Sequence, residues 1–296
     1  MDRRRSETHH ERLIRLFIVA SFLLSTTIPC AFPARVFAED LEMINRPVNT
    51  SGLTGLLFTT IPFTLPTRSV EIGVSVLSED STIPKYTITQ FPVVTVTTGI
   101  AQGMEVAIRG SYIQTTDISG NKTRGAGDTE LSYKWNFWPQ KEYSAVPAVA
   151  LIMTGIVPTG DKDILQNEVF HWGARFGLAA GSEIDWGAHV IGIYADAQMM
   201  VHDLSDEENK DIYGIANAGL LFPISKYRNL QMFAEYSIVN GKNKRTVEDG
   251  NYSAFTPGLR LVSERFNFSI GTQFMHKTLA GYENSNRVVA MISVKF

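Results

Sequence analysis

The sequence predicts an all-β fold: a transmembrane antiparallel β-barrel of about twelve strands. Three observations point to it. The chain closes on an alternating run in which Phe296, Val294, Ile292, Ala290 and Val288 are apolar, while Lys295, Ser293, Met291, Val289 and Arg287 are mostly polar. A period of two puts these sets on opposite faces of a strand. Segments of the same character recur from Ser69 onward, and the connections between them alternate short and long. The edge strand of a soluble sandwich explains the first observation alone. It gives no reason for the third.

Taken in order, Val70, Ile72, Val74 and Val76 alternate with Glu71, Gly73 and Ser75. Residues 85–98 are rich in Thr, Val and Ile, with Pro92 marking an edge or a bulge. Val106, Ile108 and Tyr112 oppose Glu105, Arg109 and Ser111. The cleanest alternation sets Leu131, Tyr133, Trp135 and Phe137 against Glu130, Ser132, Lys134 and Asn136. Residues 145–157 are apolar on both faces, and a lumen face of Val149, Leu151 and Met153 is the expectation there. Trp172, Ala174, Phe176 and Leu178 oppose Gly173 and Arg175. Ile191, Ile193 and Ala195 oppose Tyr194, Asp196 and Gln198. Residues 212–222 and 252–261 are ambiguous in phase. Leu230, Met232, Ala234, Tyr236 and Ile238 face away from Gln231, Phe233 and Glu235, and Phe266, Phe268, Ile270 and Phe274 face away from Asn267, Ser269, Gly271 and Gln273. With the closing strand the count is about twelve, an even number as bacterial barrels have.

Short connections are expected at Gly99–Gly103, Pro139–Ser144, Gly181–Trp186, Ser225–Asn229 and Ser263–Arg265. Long, charged ones fall at Asp117–Asp128, Pro158–Phe170, Asp203–Asp211, Asn240–Asn251 and Lys277–Asn286. Periplasmic turns and outer loops of a transmembrane barrel differ in this way. Helical spanning fails, because the uncharged stretch Tyr143–Gly160 is punctuated by Pro147, Gly155 and Pro158, and Tyr86–Met104 is β-branched. Trp135, Phe137, Trp138 and Tyr143, with Phe222 and Tyr227, suit an interfacial aromatic girdle.

The first 38 residues read as a signal peptide. Arg3, Arg4, Arg5, Arg12 and Arg15 precede the apolar run Leu16–Leu24, and Val36-Phe37-Ala38 offers a cleavage site before Glu39. The run is too short for a spanning helix of about 20 residues. Cys30 is the one cysteine of the chain and lies in this segment, where Thr27-Ile28-Pro29 is a poor approach to a lipid-modified cysteine. The mature chain would therefore have no disulfide, thiol nucleophile or thiolate metal site. Residues 1–38 carry six Arg and three acidic side chains, so the rest is three charges more negative than the formal −3 of the whole. That balance excludes the basic patch of a nucleic-acid binder. Residues 39–68 form a periplasmic or lumenal segment, broken by Pro62 and Pro66, which is either a short strand or a stretch tucked into the lumen. Residues 69–296 form the barrel.

The polar face supplies the lumen-lining candidates: Glu71, Glu105, Arg109, Glu130, Lys134, Arg175, Asp196, Glu235, Arg260, Arg287 and Lys295. A charge on the lipid face costs about 2–4 kcal/mol near the midplane, so these point inward. Their mixed signs suit ion pairs between strands first and a solute-sorting constriction second. No catalytic residue is expected. His202 with Ser205 and Asp203 lacks the His-x-Ser-Asn-Gly segment of outer-membrane phospholipases, and His171, His189 and His276 offer no triad that spacing alone would identify. Asp203, Asp206, Glu207, Glu208 and Asp211 form an acidic loop without the spacing of a calcium motif, so neither a metal nor another cofactor is expected.

Gly125-Ala126-Gly127-Asp128 before Leu131-Ser132-Tyr133-Lys134, and Pro158-Thr159-Gly160-Asp161 after an apolar strand, resemble the outer-membrane family labelled for the MetA pathway of phenol degradation. The resemblance covers most of residues 65–296 and includes Leu65-Pro66 before the first strand. It implies an outer-membrane barrel of Gram-negative bacteria linked to movement of aromatic or other hydrophobic compounds, and supplies no catalytic residues. Gly127, Asp128, Gly160 and Asp161 are its motif positions, though Gly-Asp pairs also simply form turns. The expected function is passive passage of small molecules, hydrophobic or aromatic ones among them, through the outer membrane. The alternatives are an adhesive barrel with ligand-binding outer loops and, third, a lipid hydrolase. Expected partners are membrane lipid and lipopolysaccharide, the small-molecule solute, and the barrel-assembly machinery, which reads the terminal Phe296.

Overall fold

The computed structural model describes residues 44, 46–82, 85–117, 119–141, 144–161, 172–186, 189–202, 211–224, 229–242, 251–277 and 284–296. The signal peptide with Cys30, residues 39–43, Tyr143, Tyr227, His171 and the acidic stretch 203–210 lie outside these residues. Among the described residues, thirteen strands follow one another: β1 (Val70–Thr82), β2 (Lys85–Ala101), β3 (Met104–Thr116), β4 (Lys122–Ala126), β5 (Thr129–Trp138), β6 (Ala148–Val157) and β7 (Gly173–Trp186), then β8 (His189–His202), β9 (Asp211–Pro223), β10 (Leu230–Lys242), β11 (Tyr252–Val262), β12 (Phe266–Lys277) and β13 (Ser285–Lys295).

Twelve of them close into an antiparallel barrel. Each pairs with its neighbour in sequence, β3 pairs with β5, and β13 returns to β1 with Glu71 opposite Lys295. Closure leaves the twelve-stranded wall without an edge. β4 is a five-residue flap that pairs with the far half of β3, Tyr112 opposite Ala126, inside what the sequence offered as a plain loop. Barrel strands of 10 to 17 residues meet or exceed the nine to eleven or so that a tilted spanning strand needs.

Polarity is inverted relative to a soluble domain. Lys134 and Glu105 are 0% exposed and Arg260 is 1%, while Ile193 and Leu259 are 46% and 47% exposed. Water would drive these sets the other way; a hydrocarbon surround does not. Down β13, Val288, Ile292, Val294 and Phe296 face out while Val289, Met291 and Ser293 face in.

Several expectations are corrected. In β6 the inward set is Ala148, Ala150, Ile152, Thr154 and Ile156, so Val149, Leu151 and Met153 face the lipid instead. Both faces of that strand are apolar, which left its phase open; Ile152 packs inward with Leu53, Ala107 and Ala179. Gly181–Trp186 is strand, not turn, and the β7–β8 ladder runs to Trp186 opposite His189. The β1–β2 hairpin is short although it lies at the long-loop end, Thr82 pairing with Lys85, so the alternation of loop lengths begins only after it. Pro92 sits in a bulge of a paired strand, where the β2–β3 register shifts between Gln90 and Val93.

Inside the barrel lie residue 44 and residues 46–66, from the segment whose place the sequence left open. Ile44, Val48, Leu53, Leu56, Leu57, Ile61, Phe63 and Leu65 are buried, most of them in one cluster with Leu77, Val93, Tyr194, Leu221, Phe233, Val289 and Met291 of the wall. This explains why two positions on the polar face of β13 are apolar. The segment folds on itself through isolated bridges Val48–Thr54 and Gly55–Thr60, turning at Gly52 with φ +88°, a conformation that disfavours any side chain.

Candidate functional site

The candidate site is the barrel interior, which has two levels. At the level nearer the short turns, the inner segment is held by hydrogen bonds to eight of the twelve barrel strands. Its backbone amides are the groups that most need partners, because an unpaired buried N–H costs about as much as a lost hydrogen bond. Carboxylates of the wall supply them. Glu235 accepts from three consecutive amides, Leu57 at 3.2 Å, Phe58 at 2.9 Å and Thr59 at 2.6 Å. Asp196 accepts from Thr60 at 2.8 Å, Glu71 from Val48 at 3.2 Å, and Glu105 from Thr54 at 2.8 Å and Leu65 at 2.9 Å.

The segment's carbonyls meet the wall's cations. Lys134 Nζ donates to Thr54 O and Ile61 O at 3.2 and 3.0 Å, and Arg260 to Gly55 O at 2.9 Å. Arg46 reaches out from the segment itself. Its guanidinium pairs twice with Glu183, at 2.7 and 3.0 Å, and lies 3.7 Å over the Phe63 ring. Glu183, which also accepts from Tyr194 Oη at 3.0 Å, was not among the expected residues. Its place in Ser182-Glu183-Ile184-Asp185 gave no signal, since that stretch read as a turn.

At the level nearer the long loops the lumen is wetter. Arg109 and Arg175 share Glu130 at 2.6 and 2.8 Å, with exposures of 15–17% against 0% for the Lys134–Glu105 pair below. Arg109 also donates to Gln90 at 3.2 Å and to Thr50 O at 3.0 Å, so it joins the two levels. On another part of the wall Arg287 and Lys277 hold Glu79 at 2.7 and 2.9 Å, and Arg287 reaches Gln273 at 3.1 Å. Glu79, Glu183 and Lys277 are interior residues that the sequence did not single out, whereas Gln273 stood on the polar face of its strand; Glu79 lies just past the alternating run of β1. Lys295 is half-buried opposite Glu71.

The motif turns come together although they are far apart in sequence. Gly160 N donates to Asp128 Oδ1 at 3.0 Å, and Asp161 N donates to Ala126 O at 2.9 Å. The Thr129 and Thr159 hydroxyls lie 2.8 Å apart beside them. The two Gly-Asp pairs thus clasp one another where β5 and β6 meet the long loops. Phe296 is 73% exposed and exchanges backbone hydrogen bonds with Val70 at 2.7 and 3.1 Å. His276 Nδ1 lies 2.8 Å from Asn284 Oδ1 at the exposed loop end. Among the described residues no cluster of His, Cys, Asp and Glu is arranged to hold a metal.

Beyond the barrel, Asp117 closes a turn at the head of the β4 flap. Its carboxylate accepts from Ser119 N and Asn121 N at 2.8 and 2.9 Å and from Asn121 Nδ2 at 3.0 Å. The Asn121 side chain, foremost among these donors, holds the carboxyl below the usual aspartate range.

No protein-family model matches the chain, and no curated protein matches it. Solved structures do. An outer membrane channel from Pseudomonas putida F1 superposes with a TM-score of 0.56 at 12% identity, covering 79% of this chain and 98% of that one. The translocator domain of the autotransporter NalP from Neisseria meningitidis has a TM-score of 0.48 at 11% identity, covering 78% and 90%. KdgM porin in complex with oligogalacturonate has 0.47 at 8%, covering 76% and 99%. The first likeness is one of fold. With the closed ladder and the apolar outer wall, it makes this chain a twelve-stranded β-barrel of the bacterial outer membrane.

Proposed function

We propose that the chain is a channel for passive passage of small molecules across the outer membrane, with residues 44–66 as its gate. The observation that carries the reading is the two-level interior, a solvent-touched vestibule of paired charges above a segment that fills the barrel. The segment runs into β1 through residues 67–69 and packs apolar side chains on the wall, but its backbone is hydrogen-bonded to wall side chains and not to a neighbouring strand, and water can take over such contacts. The Pseudomonas relative in fold is an outer membrane channel by its own description, which fits this reading. The outer membrane has no energy source of its own, so movement would be down a gradient. The solute class is small, hydrophobic or aromatic, and the support is the resemblance of the Gly127-Asp128 and Gly160-Asp161 motifs to the phenol-degradation family. The apolar β6 no longer supports it, because Val149, Leu151 and Met153 face the lipid.

Planar-bilayer recording and liposome swelling with phenol-sized solutes test the proposal. Low conductance that rises when residues 44–65 are deleted is the expected result. A barrel that passes no solute with or without the segment would overturn it. The filled lumen equally favours an adhesive barrel. Deleting 203–211 and 240–251 would then abolish binding to a cell surface and leave flux unchanged.

A further inference from the structure

We propose that the inner face of β1, β13 and β12, at the level nearer the long loops, binds the carboxylate of a small organic acid with an apolar or aromatic body. This site rests on the channel reading above and narrows its solute class. Its layout follows from the strand register. Glu79, Arg287 and Gln273 stand opposite one another on the three neighbouring strands and form one inward row. Ser81, Ser285 and Met275 form the next row toward the long loops, and Leu77, Val289 and Gly271 the next row the other way. Side chains two apart on a strand share a face, so all three rows point into the lumen.

In the upper two rows donors outnumber acceptors. Glu79 alone accepts from Arg287 at 2.7 Å, Lys277 at 2.9 Å and Ser285 at 3.0 Å. Two cations thus face one carboxylate, and Asp80 beside it is exposed on the outer face. Arg287 gives its two terminal nitrogens to Glu79 and Gln273, and among the described residues nothing takes its Nε–H. Gln273 accepts through Oε1, which turns its amide donors the other way. The Ser81 hydroxyl is buried without a hydrogen-bond partner. A buried donor left unpaired is costly, and a carboxylate brings two acceptor oxygens in the geometry a guanidinium fork matches. Arg287 and Lys277 keep 22% and 16% of their side-chain surface open, so a solute in the lumen can reach them.

The remaining row supplies the apolar end. Leu77 and Val289 belong to one cluster with Leu57 of the inner segment, and the half-buried Phe58 packs against it. Gly271 lets that segment come close, since a Cβ there would lie 2.8 Å from Leu57 Cδ1. Met275 adds a buried thioether on the other side of the charged row. A neutral solute offers nothing to the Arg287 Nε–H, and an inorganic anion leaves the apolar rim uncovered. An acid with an apolar body meets both.

Calorimetric titration with benzoate at neutral pH, on protein extracted from the outer membrane in detergent, tests the site. Benzyl alcohol serves as the neutral analogue and inorganic phosphate as the anion without a body. Benzoate should bind saturably and at least about tenfold more tightly than either. Arg287→Gln should weaken benzoate at least about tenfold. Glu79→Gln, which removes the competing carboxylate, should tighten it, a gain that misfolding cannot imitate. Benzyl alcohol bound as tightly as benzoate overturns the carboxylate class and leaves a channel for apolar solutes standing. Phosphate bound as tightly overturns the apolar body. Benzoate that does not bind, or binds equally well to wild type and both variants, overturns the site. Should Arg287→Gln fail to fold, Glu79→Gln decides alone, and an affinity that does not rise overturns the site. Planar-bilayer recording of the same preparation judges the channel separately. Conductance without benzoate binding defeats the site alone, and binding without conductance defeats the channel alone.

Discussion

Lys134 and Glu105 face each other across the β3–β5 seam with Nζ 2.8 Å from Oε1, both wholly buried. Between them they hold the amide and the carbonyl of Thr54, so a wall ion pair doubles as the clamp on the inner segment. Removing one partner of a buried pair strands the other charge. Lys134→Met is expected to cost about 3–5 kcal/mol of barrel stability, read as a lowered urea midpoint for the folded band on a cold gel. A midpoint equal to wild type would show that the pair does not bear on folding.

Glu235 takes three amides on one carboxylate. Glu235→Gln keeps the shape but removes the charge and turns a donor toward those amides. Hydrogen bonds to a charged acceptor are worth about 1.5–3 kcal/mol each, so losing even one would raise the open fraction by roughly tenfold or more. Single-channel recording checks this, with more frequent openings at unchanged unitary size as the expected outcome.

Arg46 pairs with Glu183 through two nitrogens and stacks on Phe63. Lysine cannot reproduce either the fork or the plane. Arg46→Lys should speed hydrogen exchange of the Val48–Leu53 amides while the β8 and β10 amides stay protected. Uniform exchange across both would mean that the segment and the wall open as one unit.

The lipid face has its own test. Ile193, 46% exposed and toward the middle of β8, becomes costly as arginine, by about 2–4 kcal/mol in a bilayer. The inward neighbour Tyr194 loses one hydrogen bond to the Glu183 carboxylate on change to phenylalanine, and since Arg46 still pairs with Glu183 the loss falls at the low end of about 1.5–3 kcal/mol. Refolding titrations into liposomes should rank the two in that order; the reverse order would invert the barrel's faces.

The Asp117 turn should respond to acid. Its carboxyl is held low by the Asn121 side chain and by backbone amides, so the turn is favoured above the ordinary aspartate value of about 3.9 and lost as pH falls through the lower folded value. Amide shifts of Ser119 and Asn121, followed from neutral pH downward, should move together in that window. Asn121→Ala should shift the midpoint upward, and an unmoved midpoint would count against this hydrogen bond as the main cause.

Much of the wall was legible because its two faces differ in chemistry. β10 and β12 carry polar side chains at several inward positions, Gln231, Glu235 and Ser237 in one and Asn267, Ser269 and Gln273 in the other, and Glu235 and Gln273 mark the interior without help. β6 was not legible for the opposite reason. With both faces apolar, alternation has no sign, and only the Ile152–Leu53 packing and the Ser132–Thr154 hydrogen bond of 2.9 Å fix which face turns in. β4 escaped because five residues in a charged loop carry no period. The Gly-Asp turns were visible as turns, but their clasp joins residues 32 apart through Gly160 and Asp128, which spacing cannot reveal.

The amino-acid order alone determined that the wall strands alternate, that about twelve of them make the wall, and which charges turn away from lipid, because those properties are set by neighbours two residues apart. What occupies the lumen was decided only in three dimensions. Thr60 and Asp196 are separated by 136 residues, and each needs a partner that local chemistry cannot supply. Once the cylinder closes, a carboxylate facing inward and a strandless backbone amide satisfy one another, and the interior fills.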